Sequence, residues 1–224
     1  MLFTNKRSRP DTDTSVSFLI TESRAPDQED WWKLAHLMIY ISGKIDLPLT
    51  LSANGTGVLK WYVDGLYRLH TNMRGHSGGG ISMGTGFPIL YSTKQKLNTR
   101  SSTESEIVGV NDFMPSILWT RNFLNAQEHD FTENIIFQDK KNTILLEKNG
   151  KLSSGKRKKI LTYDIFFVTA RIKKGEVTVD WCSTYDMTGD FFTKTNQGSL
   201  FIRFRDMIMG MVRQPDPGQG KTFR

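Results

Sequence analysis

Hydrophobic residues change their spacing along this chain, and each change marks an element. Residues 1–28 are polar and interrupted by Pro10 and Pro26, so they read as a loose lead-in in which the patch Val16, Phe18, Leu19, Ile20 is able to pack against a neighbour. From Asp27 the pattern is helical: Trp31, Leu34, Leu37, Met38 and Ile41 recur at steps of three and four before Gly43, predicting a helix over about residues 29–42. Leu47 to Leu51 runs into the turn signal Asn54-Gly55, and the β-prone stretch Val58 to Val63 follows. Two further strands are expected between Arg74 and Lys96, with Gly78-Gly79-Gly80 and Gly84-Thr85-Gly86 marking turns or bulges. Thr103 and Glu106 offer a capping box ahead of Ile107, Val108 and Val110, and Pro115 breaks the pattern before Ile117, Leu118 and Leu124, which predicts two helices. Ile135 to Phe137 has the look of a buried strand. A helix over Thr143 to Lys148, another over Ile165 to Ile172, a strand over Val177 to Trp181 and a last helix over Asp186 to Lys194 complete the series.

This order predicts an α/β fold with a mixed five-stranded sheet, its first three strands antiparallel and the later two reached through helical crossovers. The expected division is an N-terminal segment over 1–52, a main domain over 53–196, and a C-terminal helix with a flexible basic tail over 197–224. A chain of 224 residues, 38% hydrophobic and 11% aromatic, can bury a core of that size. Its net charge of +7 favours a polyanionic partner without identifying one. Cys182 stands alone and His36, His70, His76 and His129 fit no zinc spacing, so neither a disulfide nor a structural zinc site is expected. With no signal-peptide core and no apolar run of membrane length, the expectation is an intracellular protein, cytoplasmic or nuclear, and neither secreted nor membrane-bound.

Four acids stand where α/β folds place ligands. Asp64 ends the first core strand, Asp139 follows the fourth, Glu104 opens a helix, and Asp190 lies in the last predicted helix. Each has a plain structural alternative as a cap or turn residue, whereas as a set they can hold divalent metal. Asp186, one turn before Asp190, is a weaker candidate and a better helix cap.

Trp61-Tyr62-Val63-Asp64, Ser92-Thr93-Lys94-Gln95-Lys96, Ser101-Ser102-Thr103-Glu104-Ser105-Glu106, Gln138-Asp139 and Asp186 through Lys194 together resemble the ribonuclease H domain of copia-type retrotransposon polyproteins. Asp30 through Gly43 is similar to the segment that connects reverse transcriptase to that domain, and the resemblance spans about residues 16–209. It implies a ribonuclease H-like fold in which Asp64, Glu104, Asp139 and Asp190 coordinate two Mg²⁺ ions, with Mn²⁺ as a substitute. The implied activity is hydrolysis of the RNA strand of an RNA–DNA hybrid, beside a separate or upstream reverse transcriptase. Lys94, Lys96, Ser102, Lys140 and the cluster Lys156, Arg157, Lys158, Lys159 are then the nucleic-acid contacts.

The chain also departs from the family pattern. Asp139 is followed by Lys140-Lys141-Asn142 where the family has Asn-Gln-Ser, which puts two cations beside the metals. Lys159 through Asp164 replaces a His-containing stretch, Gly189 replaces the usual Ala, and Thr195-Asn196 replaces Pro-Leu. A second expectation is therefore a catalytically impaired remnant that keeps the fold and binds nucleic acid. The paired aspartates of a polymerase core do not occur, so polymerisation is not expected from these residues.

Other motifs are weaker. Gly150 through Arg157 nearly spells a phosphate-binding loop, but Arg157 stands where Ser or Thr must meet Mg²⁺. Trp119, Trp181, Phe191-Phe192 and Ile165 to Val168 read as core rather than as base-stacking platforms.

Overall fold

Along Val58–Leu66 (β2), Leu59, Trp61 and Val63 point to one side and Tyr62 to the other, and all four are buried. A strand buried on both faces needs layers above and below it, and the computed structural model supplies both. It describes residues 2–129, 131–150 and 159–213, with only the backbone course for Leu2 and residues 159–162. The five-stranded sheet has β2 at its centre, between His76–Ser82 (β3) and Glu133–Gln138 (β6), with Ile89–Lys94 (β5) and Thr178–Trp181 (β7) at the edges. β3 is antiparallel to both its neighbours, β2 and β5, while β6 runs parallel to β2 and β7 parallel to β6. This is the mixed ribonuclease H-like arrangement expected from the sequence. Ser52–Ala53 (β1) and Gly84–Thr85 (β4) add a two-stranded ribbon.

One face carries Leu59, Trp61, Val63, Ile81, Ile136 and Val179 against Ser102–Ala126 (α4), Lys141–Asn149 (α5) and Lys159–Lys173 (α6). α4 is one continuous helix of 25 residues, not the two helices expected on either side of Pro115. A proline inside a helix costs about 3 kcal/mol. Here Phe113, Met114 and Ile117, all buried beside it, outweigh that cost.

The opposite face carries Tyr62, Leu90 and Phe137 against a 3-10 helix at Thr188–Phe192 and Gly198–Ile208 (α7). The helix expected over Asp186 to Lys194 is thus a turn leading into that shorter, tighter element. Gly78, Gly79 and Gly80 are strand residues of β3 rather than turns, and the close approach of the 3-10 helix explains the first: a Cβ on Gly78 would lie 2.7 Å from the Phe192 backbone.

The N-terminal segment is folded, contrary to the expected loose lead-in. Leu2–Arg7 (α1), a 3-10 helix at Pro10–Thr12 and Asp13–Thr21 (α2) pack beside β5, followed by Gln28–Ser42 (α3). Polar pairs hold these elements where periodicity saw nothing. Fully buried Asp13 accepts from Asn5 Nδ2 at 2.8 Å and pairs with Lys6, Arg9 grips Asp11, and Thr14 Oγ1 donates to the Phe191 carbonyl at 2.7 Å. α3 begins with a capping box between Asp27 and Asp30, as its expected start requires, yet of its apolar stripe Trp31 and Met38 are exposed and Leu37 is buried.

Candidate active site

The parallel register pairs Tyr62 of β2 with Phe137 of β6. Two residues further along each strand stand Asp64 and Asp139, so side-by-side parallel strands deliver two carboxylates to the same place. Glu106 of α4 completes the group: one oxygen from each of Asp64, Glu106 and Asp139 lies within 4.8 Å of the others.

Glu104, the glutamate singled out in the sequence, does not join them. Ser101 is the N-cap of α4, its hydroxyl accepts from the Glu104 N–H at 3.2 Å, and Glu104 Oε2 accepts from the Arg100 N–H at 2.8 Å. The capping pair is therefore Ser101 with Glu104, two residues earlier than the expected Thr103 with Glu106. Residues two apart on a helix are about 200° around its axis, so only one of these glutamates can face the sheet. Glu106 shares its face with Val110, Phe113 and Ile117, all buried, and the extension of that stripe back to Glu106 is the sequence signal that could have found it.

Glu106 is held from the strand side. Its Oε2 accepts from the Gly65 N–H at 3.1 Å, and Gly65 must be glycine because a Cβ there would lie 2.2 Å from the Ser105 carbonyl oxygen. Gln95, inside the Lys-Gln-Lys motif, ties the same helix turn down: its Nε2 donates to the Ser105 carbonyl at 2.9 Å and to Ser77 Oγ at 3.0 Å, and its Oε1 accepts from Ser105 Oγ at 3.1 Å. This buried clamp was not identified from the sequence, although the motif containing it was.

The 3-10 helix brings Asp190 to the other side of Asp64. Lys194 bridges the two, 2.8 Å from Asp190 Oδ1 and 3.8 Å from Asp64 Oδ2, and Thr193 Oγ1 donates to Asp64 Oδ2. Burial, then Asp64, pushes the Asp190 carboxyl up to about 7 against the pull of Lys194. Glu106 is raised well above the carboxylate range by burial and by Asp64, with Lys140 opposing. The Lys140 ammonium, 2.5 Å from Glu106 Oε1, stays charged: burial lowers it, but Glu106, Asp64 and Asp139 together raise it.

The site fits a divalent cation. Hard oxygen donors converge from three elements, and Asp139 Oδ1 is buried without a hydrogen-bond partner among the described residues. Trp181, expected in the core, is exposed and donates its indole N–H to the Asp139 carbonyl at 3.1 Å. Trp119 is also exposed, stacked on Phe123 with ring centroids 5.0 Å apart. Phe191 and Phe192 are buried as expected, while of the run at 165–168 Phe166 is exposed. Asp186 pairs with Arg203 of α7 at 2.6 Å, outside the cluster.

Among the expected nucleic-acid contacts, Lys94 is half-buried, while Lys96 and Ser102 are exposed on either side of the Gln95–Ser105 clamp. Lys140 points into the acidic cluster instead of outward. Lys159 opens α6, whereas Lys156, Arg157 and Lys158, the near phosphate-binding loop beyond Gly150 and the basic tail from residue 214 lie outside the described residues. No described helix is long and apolar enough to cross a membrane.

No protein-family model matches the chain. It is similar to two retrovirus-related Pol polyproteins of Arabidopsis thaliana: that from transposon RE2, 27% identical over 219 residues, and that from transposon RE1, 27% identical over 210 residues. These alignments cover 97% and 93% of this chain but only 15% and 14% of the polyproteins. Two solved structures share part of the outline, each at 11% identity and over 61% of this chain: LC11-RNase H1 isolated from compost, with 92% of that chain covered and a TM-score of 0.44, and the N-terminal RNase H domain of rv2228c from Mycobacterium tuberculosis, with 90% covered and a TM-score of 0.38. Over nearly its whole length the chain is thus similar to one portion, about a seventh, of the retrovirus-related Pol polyproteins.

Proposed function

We propose that this chain is a divalent-metal-dependent endonuclease that hydrolyses the RNA strand of RNA–DNA hybrids, working beside a reverse transcriptase. The convergence of Asp64, Glu106 and Asp139 oxygens within 4.8 Å carries this reading, and the Pol homology supports it. Asp64, Glu106 and Asp139 would hold the metal, with Asp190 beside Asp64, and the resemblance implies two ions. Bound there, divalent metal supplies water activation and charge stabilisation at the scissile phosphate.

The protein's own part is placement. Thr193 and Lys194 orient Asp64, the Gly65 N–H orients Glu106, and the Trp181 indole steadies the backbone of Asp139. Lys94, Lys96 and Ser102 offer a positive and hydrogen-bonding rim for the phosphates of a hybrid, whose 2′-hydroxyls distinguish its RNA strand. One observation favours a second reading, a remnant that binds nucleic acid without cutting it: Lys140 occupies Glu106 Oε1.

A labelled hybrid incubated with Mg²⁺ separates these readings. The nuclease predicts cleavage that EDTA stops and that Asp64→Asn reduces at least a thousandfold while circular dichroism stays unchanged. Cleavage that survives Asp64→Asn contradicts the site, and salt-sensitive binding without cleavage selects the remnant.

A further inference from the structure

We propose that Lys140 is a built-in counter-ion that competes with divalent metal for Glu106. This presupposes the metal site proposed above and adds a device that sets its affinity. Lys140 directly follows Asp139 and is the N-cap of α5, with an extended backbone (φ −101°, ψ 104°), so one short stretch of chain delivers both an acid and a cation to the cluster. Its Nζ lies 2.5 Å from Glu106 Oε1, and the other oxygen, Oε2, already accepts from the Gly65 N–H. The Glu106 side chain is 1% exposed, and these two partners take up its oxygens.

A Mg²⁺ ion approaches a carboxylate oxygen to about 2.1 Å. It cannot share Oε1 with an ammonium at its present distance without placing a dication against a monocation in a poorly screened site. The lysine has somewhere to go: its side chain is 39% exposed on a flexible stem, whereas Lys194 is also engaged by Asp190 and Asp64. Metal binding at Glu106 therefore requires Lys140 to withdraw toward solvent.

Mn²⁺ titration calorimetry on the full chain, without nucleic acid, tests this. Lys140→Met keeps the stem and removes the charge, and it is expected to bind Mn²⁺ at least tenfold tighter than the parent. Lys140→Arg, which keeps the charge, is expected to stay within threefold of the parent. In EDTA the Met variant should melt below the parent, and saturating Mn²⁺ should raise its Tm by more. Equal Mn²⁺ affinity in parent and Met variant, equal tightening by Arg and Met, or binding undiminished by Asp139→Asn would each overturn the proposal. Failure of the nuclease reading looks different: tightened Mn²⁺ binding without hybrid cleavage leaves this inference standing, and cleavage with unchanged Mn²⁺ affinity removes it alone.

Discussion

The two faces of the sheet are built in different ways. The face of Leu59, Trp61 and Val63 is covered by regular helices, α4 from the connection between β5 and β6 and α5 and α6 from the crossover between β6 and β7. The face of Tyr62 and Phe137 is covered by the 3-10 helix and α7, and α2 reaches over from the opposite end of the chain to bond the Phe191 carbonyl. Asp64 and Asp139 share strand parity with Tyr62 and Phe137, Asp190 comes from the same face, and Glu106 arrives from the helical one. The site is thus a seam. Its geometry depends on how closely α4 approaches the strand end, which is why glycine and a buried amide cluster there.

Variants at the seam probe this contrast most sharply. Gly65→Val places a branched side chain where a Cβ already meets the Ser105 backbone at 2.2 Å. It is expected to cost about 4 kcal/mol or more in urea unfolding, because backbone on both sides must move. A cost below about 1 kcal/mol would show that α4 is not pinned against β2.

The helical face also hides an acid. Glu147 of α5 is fully buried, and burial pushes its carboxyl up to about 8, opposed by Gln138. The fold then retains a proton that the unfolded chain releases, so stability falls as pH rises from about 4.5 to about 8 and levels off above. Raised Asp190 and Glu106 contribute a fall of the same sign. The quantity to measure is therefore the difference between parent and Glu147→Gln: the variant should lose on the order of 3 kcal/mol of pH dependence across that window in EDTA. Identical slopes would contradict a neutral buried Glu147.

Gln95→Leu is the mildest of the three. It leaves Ser77 and the Ser105 backbone without their amide partner and should destabilise by about 2 kcal/mol. If Gln95 also positions Glu106, Mn²⁺ affinity should drop along with Tm, whereas a change in Tm alone would make the clamp purely structural.

The helical face was the legible one. Strand alternation at Leu59, Trp61 and Val63 and the apolar spacing in α4 and α6 are strong signals of burial, and the positions of Asp64 and Asp139 at strand ends followed from them. The other face relies on polar pairing and close backbone approach: Asp13 with Asn5 and Lys6, Thr14 with Phe191, and Gly78 under Phe192 leave no hydrophobic period to read. At α4, Ser101 through Glu106 contains two overlapping capping frames, and local sequence does not rank them. Packing does, because Glu106 continues the stripe of Val110, Phe113 and Ile117, which assigns Glu104 to the cap. Lys140 shows a further limit: a cation next to an acid in sequence gives no sign of which carboxylate it will meet.

That choice between two glutamates offers the most direct measurement. In a Mg²⁺-dependent hybrid-cleavage assay, Glu106→Gln is predicted to lower the rate at least a hundredfold, while Glu104→Gln, which keeps a side-chain oxygen to accept from the Arg100 N–H, leaves it within threefold. The opposite pattern, with Glu104→Gln inactive and Glu106→Gln close to the parent, would contradict the site described by Asp64, Glu106 and Asp139.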